Sequence, residues 1–422
     1  MKNGNYGITT LYNGIKVVTE KVDTVDAVSI GIYVETGSRH EKDNERGISH
    51  MVEHMMFKGT KTRSSIDIFR TFENIGADLN AYTDKDHTSY YCKATSEHFP
   101  LMMEVLSDML LNSVFDPEEL EKERNVIIEE YYMRQDIPNV RIFEYAEESV
   151  FGDNTVGKPI IGTVDTIKSI TRDMLIDYVK RQYTGSNMIV SIAGNIDHDY
   201  AVKVVGQYLS GIPQGLPNDY EKLDPRKLTR GNRSMYVDDT AQSQIVISIG
   251  GLSDIDVYEN ATLFNILCKY IAGGMSSRLT RLIREENGLA YSVGCMGSTF
   301  IDGGAIFVYI GTQHQNIETV INMAVSDLED IRENGISKED FDNAFNMYKG
   351  DLILHTETID ARMARNAKRT MDRKDLITVN DLIKEFEGTD EDDLYEWVRE
   401  MLYKEDFDIY VMGPEEARPS WF

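Results

Sequence analysis

Tryptophan, cysteine and proline are scarce in this sequence, and positive charge is in deficit. The chain of 422 residues has 2 Trp, 3 Cys and 9 Pro, and its 44 Lys and Arg residues stand against 71 Asp and Glu residues. The formal net charge of −27 argues against a nucleic-acid partner, because little would neutralise the phosphates. It favours either plain solubility or an acidic chamber that concentrates cationic ligands such as basic peptides.

Two further absences bear on the compartment. Cys92, Cys268 and Cys295 are widely spaced and form no C-x-x-C pair, which indicates a reducing compartment and no disulfide framework. The first residues lack a secretory or transit pattern, and no stretch reaches the ~18 apolar residues of a membrane span. We therefore expect a soluble, cytoplasmic protein with no membrane partner.

The chain divides near its midpoint into two halves. Pro213, Pro217 and Pro225 cluster there among charged residues, and such a segment cannot hold a long helix or a central strand. We place a linker at 216–232, between an N-terminal domain, 1–215, and a C-terminal domain, 233–422.

The two halves follow the same plan. A strand, a turn, a long helix, a break and a second helix occur in this order in each half, with Phe115 aligned to Ile336. Upstream, the apolar segments AVSIGIYVE and SQIVISIGG are expected to be half-buried strands, each followed by a helix. The pattern predicts an α+β fold of two homologous sandwich domains, each an antiparallel-rich sheet covered by helices.

The first half contains HMVEH, which places His50, Glu53 and His54 within five positions. On a helix from about Ile48 toward Phe57, residues four apart lie ~40° apart around the axis, so the two histidines point the same way. Two imidazoles on successive turns can share one Zn²⁺, and a carboxylate beside them can take a proton from water at the metal. The H-x-x-E-H order is the inverzincin signature.

A third ligand is expected from the helix that begins at Asp116 and Pro117. Glu123 and Glu130 share one face to within ~20°, whereas Glu129 is rotated by ~100° and is expected to face solvent. We choose Glu130 as the ligand and assign Glu123 to the catalytic set, as a carboxylate that orients a ligating imidazole. The alternative is that these acids belong to a solvated helix face.

The second half lacks this set. When Phe57 is aligned with Ala272, positions 50, 53 and 54 fall on Asn265, Cys268 and Lys269, and Glu130 falls on Asp351. Because the helix is duplicated and the motif is not, a purely structural role for the motif is less plausible.

These residues resemble the pitrilysin family of metallopeptidases, in its two-domain, processing-peptidase-like branch. H-x-x-E-H is followed 76 positions later by the glutamate of ERNVIIEE, and the resemblance extends to GSRHE, NIGADLNAYTDKDHTSYY and GGMSSRLTRLIREENGLAYSV. It implies that His50, His54 and Glu130 bind one Zn²⁺ per chain and that Glu53 is the general base of an endopeptidase.

Substrate contacts are expected at two places. ADLNAYTD alternates like an edge strand, which could bind an extended peptide, although an ordinary core strand fits as well. The resemblance implies that Asn80 and Ala81 line this strand.

Arg284 and Tyr291 are suitable donors to a carbonyl oxygen, but alone they suggest a surface helix. The resemblance makes them catalytic and substrate-binding residues, contributed by the partner chain in a homodimer around a closed chamber.

Three alternatives remain open at this point. The chain could be a non-catalytic scaffold of a processing-peptidase-like complex, since relatives exist that keep the fold and lose the zinc set. It could be a zinc hydrolase that acts on something other than peptides. It could also depend on a separate partner chain that carries its own arginine and tyrosine.

Overall fold

The computed structural model describes residues 2–3, 5–253 and 260–421, and within these ranges no helix combines the length and apolarity that a bilayer crossing requires. The chain forms two compact units, each assembled from separate stretches. Unit 1 comprises Met1–Tyr132, Pro159–Glu221 and His355–Ile377. Unit 2 comprises Met133–Lys158, Lys222–Leu354 and Thr378–Phe422.

The strands are β1 (Lys2–Asn3), β2 (Tyr6–Thr10), β3 (Lys16–Lys21), β4 (Ala27–Val34), β5 (Asp78–Thr83), β6 (Thr88–Thr95), β7 (Met188–Gly194), β8 (Arg233–Val237), β9 (Ser243–Ser253), β10 (Ala290–Phe300), β11 (Gly303–Thr312) and β12 (Asp408–Gly413). The helices are α1 (Ile48–Met56), α2 (Ser65–Glu73), α3 (Phe99–Asn112), α4 (Pro117–Gln135), α5 (Pro138–Phe151), α6 (Val164–Ser169), α7 (Arg172–Gln182), α8 (His198–Leu209), α9 (Ala261–Ala272), α10 (Ile317–Asn334), α11 (Lys338–His355), α12 (Ile359–Met371), α13 (Val379–Phe386) and α14 (Glu391–Met401).

Each unit is built on one mixed, mainly antiparallel sheet. In unit 1 the strand order is β1-β2-β3-β7-β4-β6-β5, and β3 runs parallel to β7. In unit 2 the order is β10-β11-β9-β12-β8, and β12 runs parallel to β8. The other neighbouring pairs of described strands are antiparallel. The predicted α+β fold with helix-covered, antiparallel-rich sheets is therefore confirmed.

The strand β4 is buried on both faces, so the expectation of a half-buried strand was wrong. Its alternate residues belong to two different apolar clusters: Ile30 and Ile32 lie on the side of α1 and α3, and Tyr33 lies on the other side. That second face is covered by α12, which presents a stripe spaced four residues apart. The stripe is formed by Ile359, Met363, Ala367 and Met371.

The strand β9 of unit 2 is also buried on both faces, and for the same reason. Ile245 and Ile247 face one cluster, while Val246 faces a second cluster that contains residues of α5. The α5 residues in that cluster are Ile142, Ala146, Val150 and Phe151. Each sheet thus has its second face covered by a helix from the opposite half of the sequence.

The segment predicted as a linker contains no strand and no α-helix. Residues 216–232 hold one short 3-10 turn, Pro225–Lys227, and the division between the two units falls between Glu221 and Lys222. The boundaries 1–215 and 233–422 treat each domain as one continuous stretch. In the structure, the helical segment 133–158 of the first half belongs to unit 2, and the helical segment 355–377 of the second half belongs to unit 1.

We expect Met363→Ala to destabilise unit 1 by about 2–5 kcal/mol, because it opens a cavity between α12 and the sheet. Met363 is 2% exposed and accepts a hydrogen bond from the Tyr33 hydroxyl. Urea denaturation followed by circular dichroism measures the change. Lys368→Ala, on the exposed side of the same helix, is the control and should change the free energy of unfolding by less than about 0.5 kcal/mol. Equal effects of the two substitutions would contradict this role of α12.

Candidate metal centre

Helix α1 has one apolar face and one polar face, which determines where its histidines point. The buried residues on the apolar face are Ile48, Met51, Val52, Met55 and Met56. They recur at the spacing that places side chains on one side of a helix, so α1 packs that side into the core of unit 1. His50, Glu53 and His54 lie on the other side and are partly exposed. The predicted helix is therefore confirmed.

Three side chains from α1 and α4 converge beside this polar face. Nε2 of His50 and Nε2 of His54 each lie 3.6 Å from Oε2 of Glu130. One ligand atom from each of the three residues lies within 4.8 Å of the other two. Among the residues that the structure describes, this is the one His, Cys, Asp or Glu group that meets this criterion for a metal site.

The donor set fits zinc. Ligand atoms held ~2.0–2.2 Å from Zn²⁺ in a tetrahedral arrangement lie roughly 3.3–3.6 Å apart, which agrees with the spacing of each imidazole nitrogen from the Glu130 carboxylate. Two neutral imidazoles and one carboxylate are also a ligand set that catalytic zinc sites use, with a fourth position left for water or substrate. His50, His54 and Glu130 are therefore the residues that could hold the metal.

Glu123 lies behind His54 and orients its ring. Oε2 of Glu123 is 3.0 Å from Nδ1 of His54, and Oε1 is 2.5 Å from Nζ of Lys58. Burial raises the pKa of Glu123, but the hydrogen bonds from His54 and Lys58 outweigh it and hold the pKa below its usual value. An ionised carboxylate can only accept, so Nδ1 of His54 carries the proton and Nε2 keeps a lone pair on the side of Glu130.

Glu53 is held by a contact that the sequence did not indicate. The Thr83 hydroxyl, at the end of β5, donates a 2.6 Å hydrogen bond to Oε2 of Glu53. Burial raises the pKa of the Glu53 carboxyl, and the nearby charge of Glu130 raises it further, while Thr83 and His54 act in the opposite direction. The net shift is upward, the direction that makes a carboxylate a better base.

The strand β5 is an edge strand, as predicted. It pairs with β6 on one side and ends the strand order on the other. The amide of Ala81 donates to Oδ1 of the preceding Asn80, at 2.8 Å, so this amide is turned away from β6. A cavity of about 430 Å³ lies beside the first half of the strand and is lined in part by Phe69, Asp78 and Asn80.

The remaining predicted residues, Arg284 and Tyr291, lie in unit 2 and contact each other. The Arg284 guanidinium carbon is 5.1 Å from the centroid of the Tyr291 ring. Arg284 lies in the last turn of a short π-helical segment, Thr280–Glu286, with Nε 3.3 Å from Oε1 of Glu285. The Tyr291 side chain is 74% exposed at the start of β10. Both residues are therefore accessible in this unit.

Unit 2 contains an ion pair where its sequence aligns with the metal site. Lys269 of α9 and Asp351 of α11 align with His54 and Glu130, and Nζ of Lys269 is 2.5 Å from Oδ2 of Asp351. The ammonium group neutralises the carboxylate that a cation would need. The corresponding helices are therefore joined by a direct charge pair in unit 2.

Comparisons with known proteins agree with this difference between the halves. A family model described as insulinase (peptidase family M16) matches residues 16–164, and one described as peptidase M16 inactive domain matches residues 169–348. The chain is 34% identical to the uncharacterized zinc protease YmxG of Bacillus subtilis, over 97% of this chain and 99% of that protein. It is 32% identical to an uncharacterized zinc protease of Streptomyces coelicolor, over 97% of this chain and 91% of that protein.

A solved structure shows the same fold at low sequence identity. The crystal structure of a peptidase M16 inactive domain from Pseudomonas fluorescens superposes with a TM-score of 0.89 at 15% identity. The match covers 97% of this chain and 98% of that chain. It supports the fold of two similar halves.

We expect Glu130→Gln to weaken zinc binding by about 10-fold to 100-fold, because an amide is a poorer zinc ligand than a carboxylate. Competition with a chromophoric chelator measures the affinity. Glu129→Gln is the matched control: it removes the same charge from the neighbouring position, where the side chain is exposed, and should leave the affinity within about twofold. An equal loss of affinity in both variants would show that the net charge of α4, and not a ligand at position 130, determines zinc binding.

Proposed function

This chain belongs to peptidase family M16, a family of zinc metallopeptidases, and we propose that it is an endopeptidase that cleaves extended or unfolded peptides. The observation that carries the proposal is the convergence of His50, His54 and Glu130 beside Glu53. A zinc peptidase is supported by the relatives named zinc proteases.

His50, His54 and Glu130 would hold one zinc ion per chain. When bound, the ion supplies a Lewis acid that lowers the pKa of water and polarises a peptide carbonyl. Glu53 would accept the proton of the attacking water and later deliver it to the leaving amine. The hydrogen bond from Thr83 engages Oε2 of Glu53, which leaves Oε1 as the oxygen for proton transfer. Glu123 would keep His54 in the tautomer that can bind a metal.

The edge strand β5 offers the means of holding a peptide. An extended peptide can add to a sheet edge through main-chain hydrogen bonds, with Asn80 and Ala81 on the strand that receives it. Because Thr83 of this strand contacts Glu53, a peptide on β5 would pass beside the proposed base. The acidic net charge of −27 would favour basic peptides.

Arg284 and Tyr291 would contribute donors to the substrate or to a developing oxyanion. We propose that they act on the zinc site of a partner chain in a homodimer with a closed chamber, since this chain carries both the zinc set and the Arg/Tyr pair. A cytoplasmic location, and the lack of nucleic-acid and membrane partners, are also proposals that rest on the sequence.

We expect Glu53→Gln to slow cleavage of quenched basic peptides strongly while zinc content stays at the wild-type level, because glutamine keeps the shape of the side chain and cannot accept the proton. Rates should fall by about 100-fold to 10,000-fold. Zinc is measured on the same samples by atomic absorption. A zinc-loaded wild type that cleaves none of the peptides would instead support the non-catalytic or partner-dependent scaffold.

Sites completed by a partner chain predict complementation between two inactive variants. Glu53→Gln and Arg284→Ala should each be impaired alone, and mixing them under conditions of subunit exchange should restore about one quarter of the wild-type sites. Half of the dimers are then mixed, and each mixed dimer contains one site with both residues intact. Activity that stays at the level of the separate variants, in a mixture shown to exchange subunits, would place Arg284 in the same chain as the zinc that it serves.

A further inference from the structure

Helix α1 starts without a capping side chain of its own. Its N-cap residue, Gly47, has a φ of +88° and makes no side-chain cap. A Cβ atom at this position would come within 2.5 Å of the Ile161 carbonyl oxygen, so Ser, Thr, Asn or Asp cannot take its place. The first N–H groups of a helix have no partners within the helix and need acceptors from elsewhere.

Glu41 provides that acceptor from six residues upstream. Its Oε2 accepts from the amide of Gly47, and its Oε1 accepts from the amide of Ser49, both at 2.8 Å. The side chain is 3% exposed, so water does not compete for these bonds. A negative charge at this end of a helix also interacts favourably with the helix dipole.

The first turn of α1 is fixed by a second contact as well. The Ser49 hydroxyl is 2.7 Å from the Tyr178 hydroxyl of α7, which is in turn 3.0 Å from the Thr36 hydroxyl. His50 follows Ser49 directly, so the backbone that carries this imidazole is held by Glu41 on one side and Tyr178 on the other.

We propose that Glu41 is a positioning residue for the metal site, because its carboxylate fixes the turn of α1 from which His50 projects. The proposal rests on the proposed zinc site and not on peptide cleavage. It predicts that zinc affinity depends on a residue that is not itself one of the ligands.

The buried charge of Glu41 reduces stability. Burial raises the pKa of this carboxyl to about 7, against the hydrogen bonds from Ser49 and Gly47 and the positive charge of Arg46. Tyr178 is the titratable group that faces it from α7. Because the folded pKa lies above the ordinary value of 4.5, stability falls as pH rises from 4.5 to 7, and the full loss applies above 7.

The two-bond cap is nevertheless strongest in the ionised form. Protonation places a donor on one oxygen, and the oxygen that carries the proton is a poorer acceptor for an amide than a carboxylate oxygen. The arrangement that fixes α1 most firmly is therefore the one that lowers stability at neutral pH. A local feature that costs stability is expected at functional sites, which favours a role in positioning over a role in folding.

The test is zinc affinity of Glu41→Gln, measured by chelator competition at about pH 8 and about pH 5.5, on either side of the Glu41 pKa. We expect about tenfold weaker binding than wild type at the higher pH. The ratio of the two affinities should approach one at the lower pH, where wild-type Glu41 is itself protonated. The two proteins have the same ligands, so the ratio of their affinities isolates the effect of position 41.

Glu45→Gln is the matched control. Glu45 lies in the same loop, is also buried, and bonds Arg181 at 2.9 and 3.0 Å rather than any amide of α1. A ratio that does not change with pH, or an equal loss of affinity in the control, would overturn the proposal.

If Glu41→Gln does not fold, the zinc affinity of Glu41→Asp is measured instead. Aspartate keeps the charge but is too short to reach both amides, so wild-type affinity in this variant would also overturn the proposal. Wild-type protein that binds no zinc would refute the proposed function itself.

Discussion

Two helices that are distant in sequence must be held at a fixed separation for His50, His54 and Glu130 to bring their donor atoms within 4.8 Å of one another. Apolar packing provides most of this, because the buried face of α1 and residue Ile127 of α4 share one core cluster. Packing alone leaves the imidazole rings free to rotate. Glu123 removes this freedom for His54, and its second oxygen is engaged by Lys58, so the carboxylate cannot turn away.

The second half of the chain shows that a helix pair equivalent to α1 and α4 can be joined without a metal. Lys269 and Asp351 join α9 to α11 by direct contact at the aligned positions. An ion pair of this kind satisfies both charges without a cofactor, so a folding requirement alone would not explain the histidines of the first half. The carboxylates and imidazoles beside α1 are arranged in a way that does not favour stability, as the raised pKa of Glu53 also indicates. Their arrangement is better explained by chemistry.

The sequence predicted the features that depend on local periodicity. The helix over His50 and His54, the edge position of β5 and the exposure of Glu129 follow from spacings of 3.6 and 2 residues. It did not predict Thr83 beside Glu53 or the capping role of Glu41, because these contacts join segments whose approach depends on tertiary packing. The burial of β4 on both faces was missed for the same reason, since the covering helix α12 lies more than 300 residues away.

Helix α12 also gives a structural reason why the chain retains a second half without the metal motif. The segment 355–377 lies in unit 1, where the apolar stripe of α12 covers β4 and β7. Without it, Tyr33 and Ile189 would lose the apolar partners that α12 supplies, and a sheet that is buried on both faces would expose one of these faces to water. The first half supplies α5 to unit 2 in the same way. Neither half can therefore complete its own core, so the metal-free copy is part of the framework on which the candidate metal site depends.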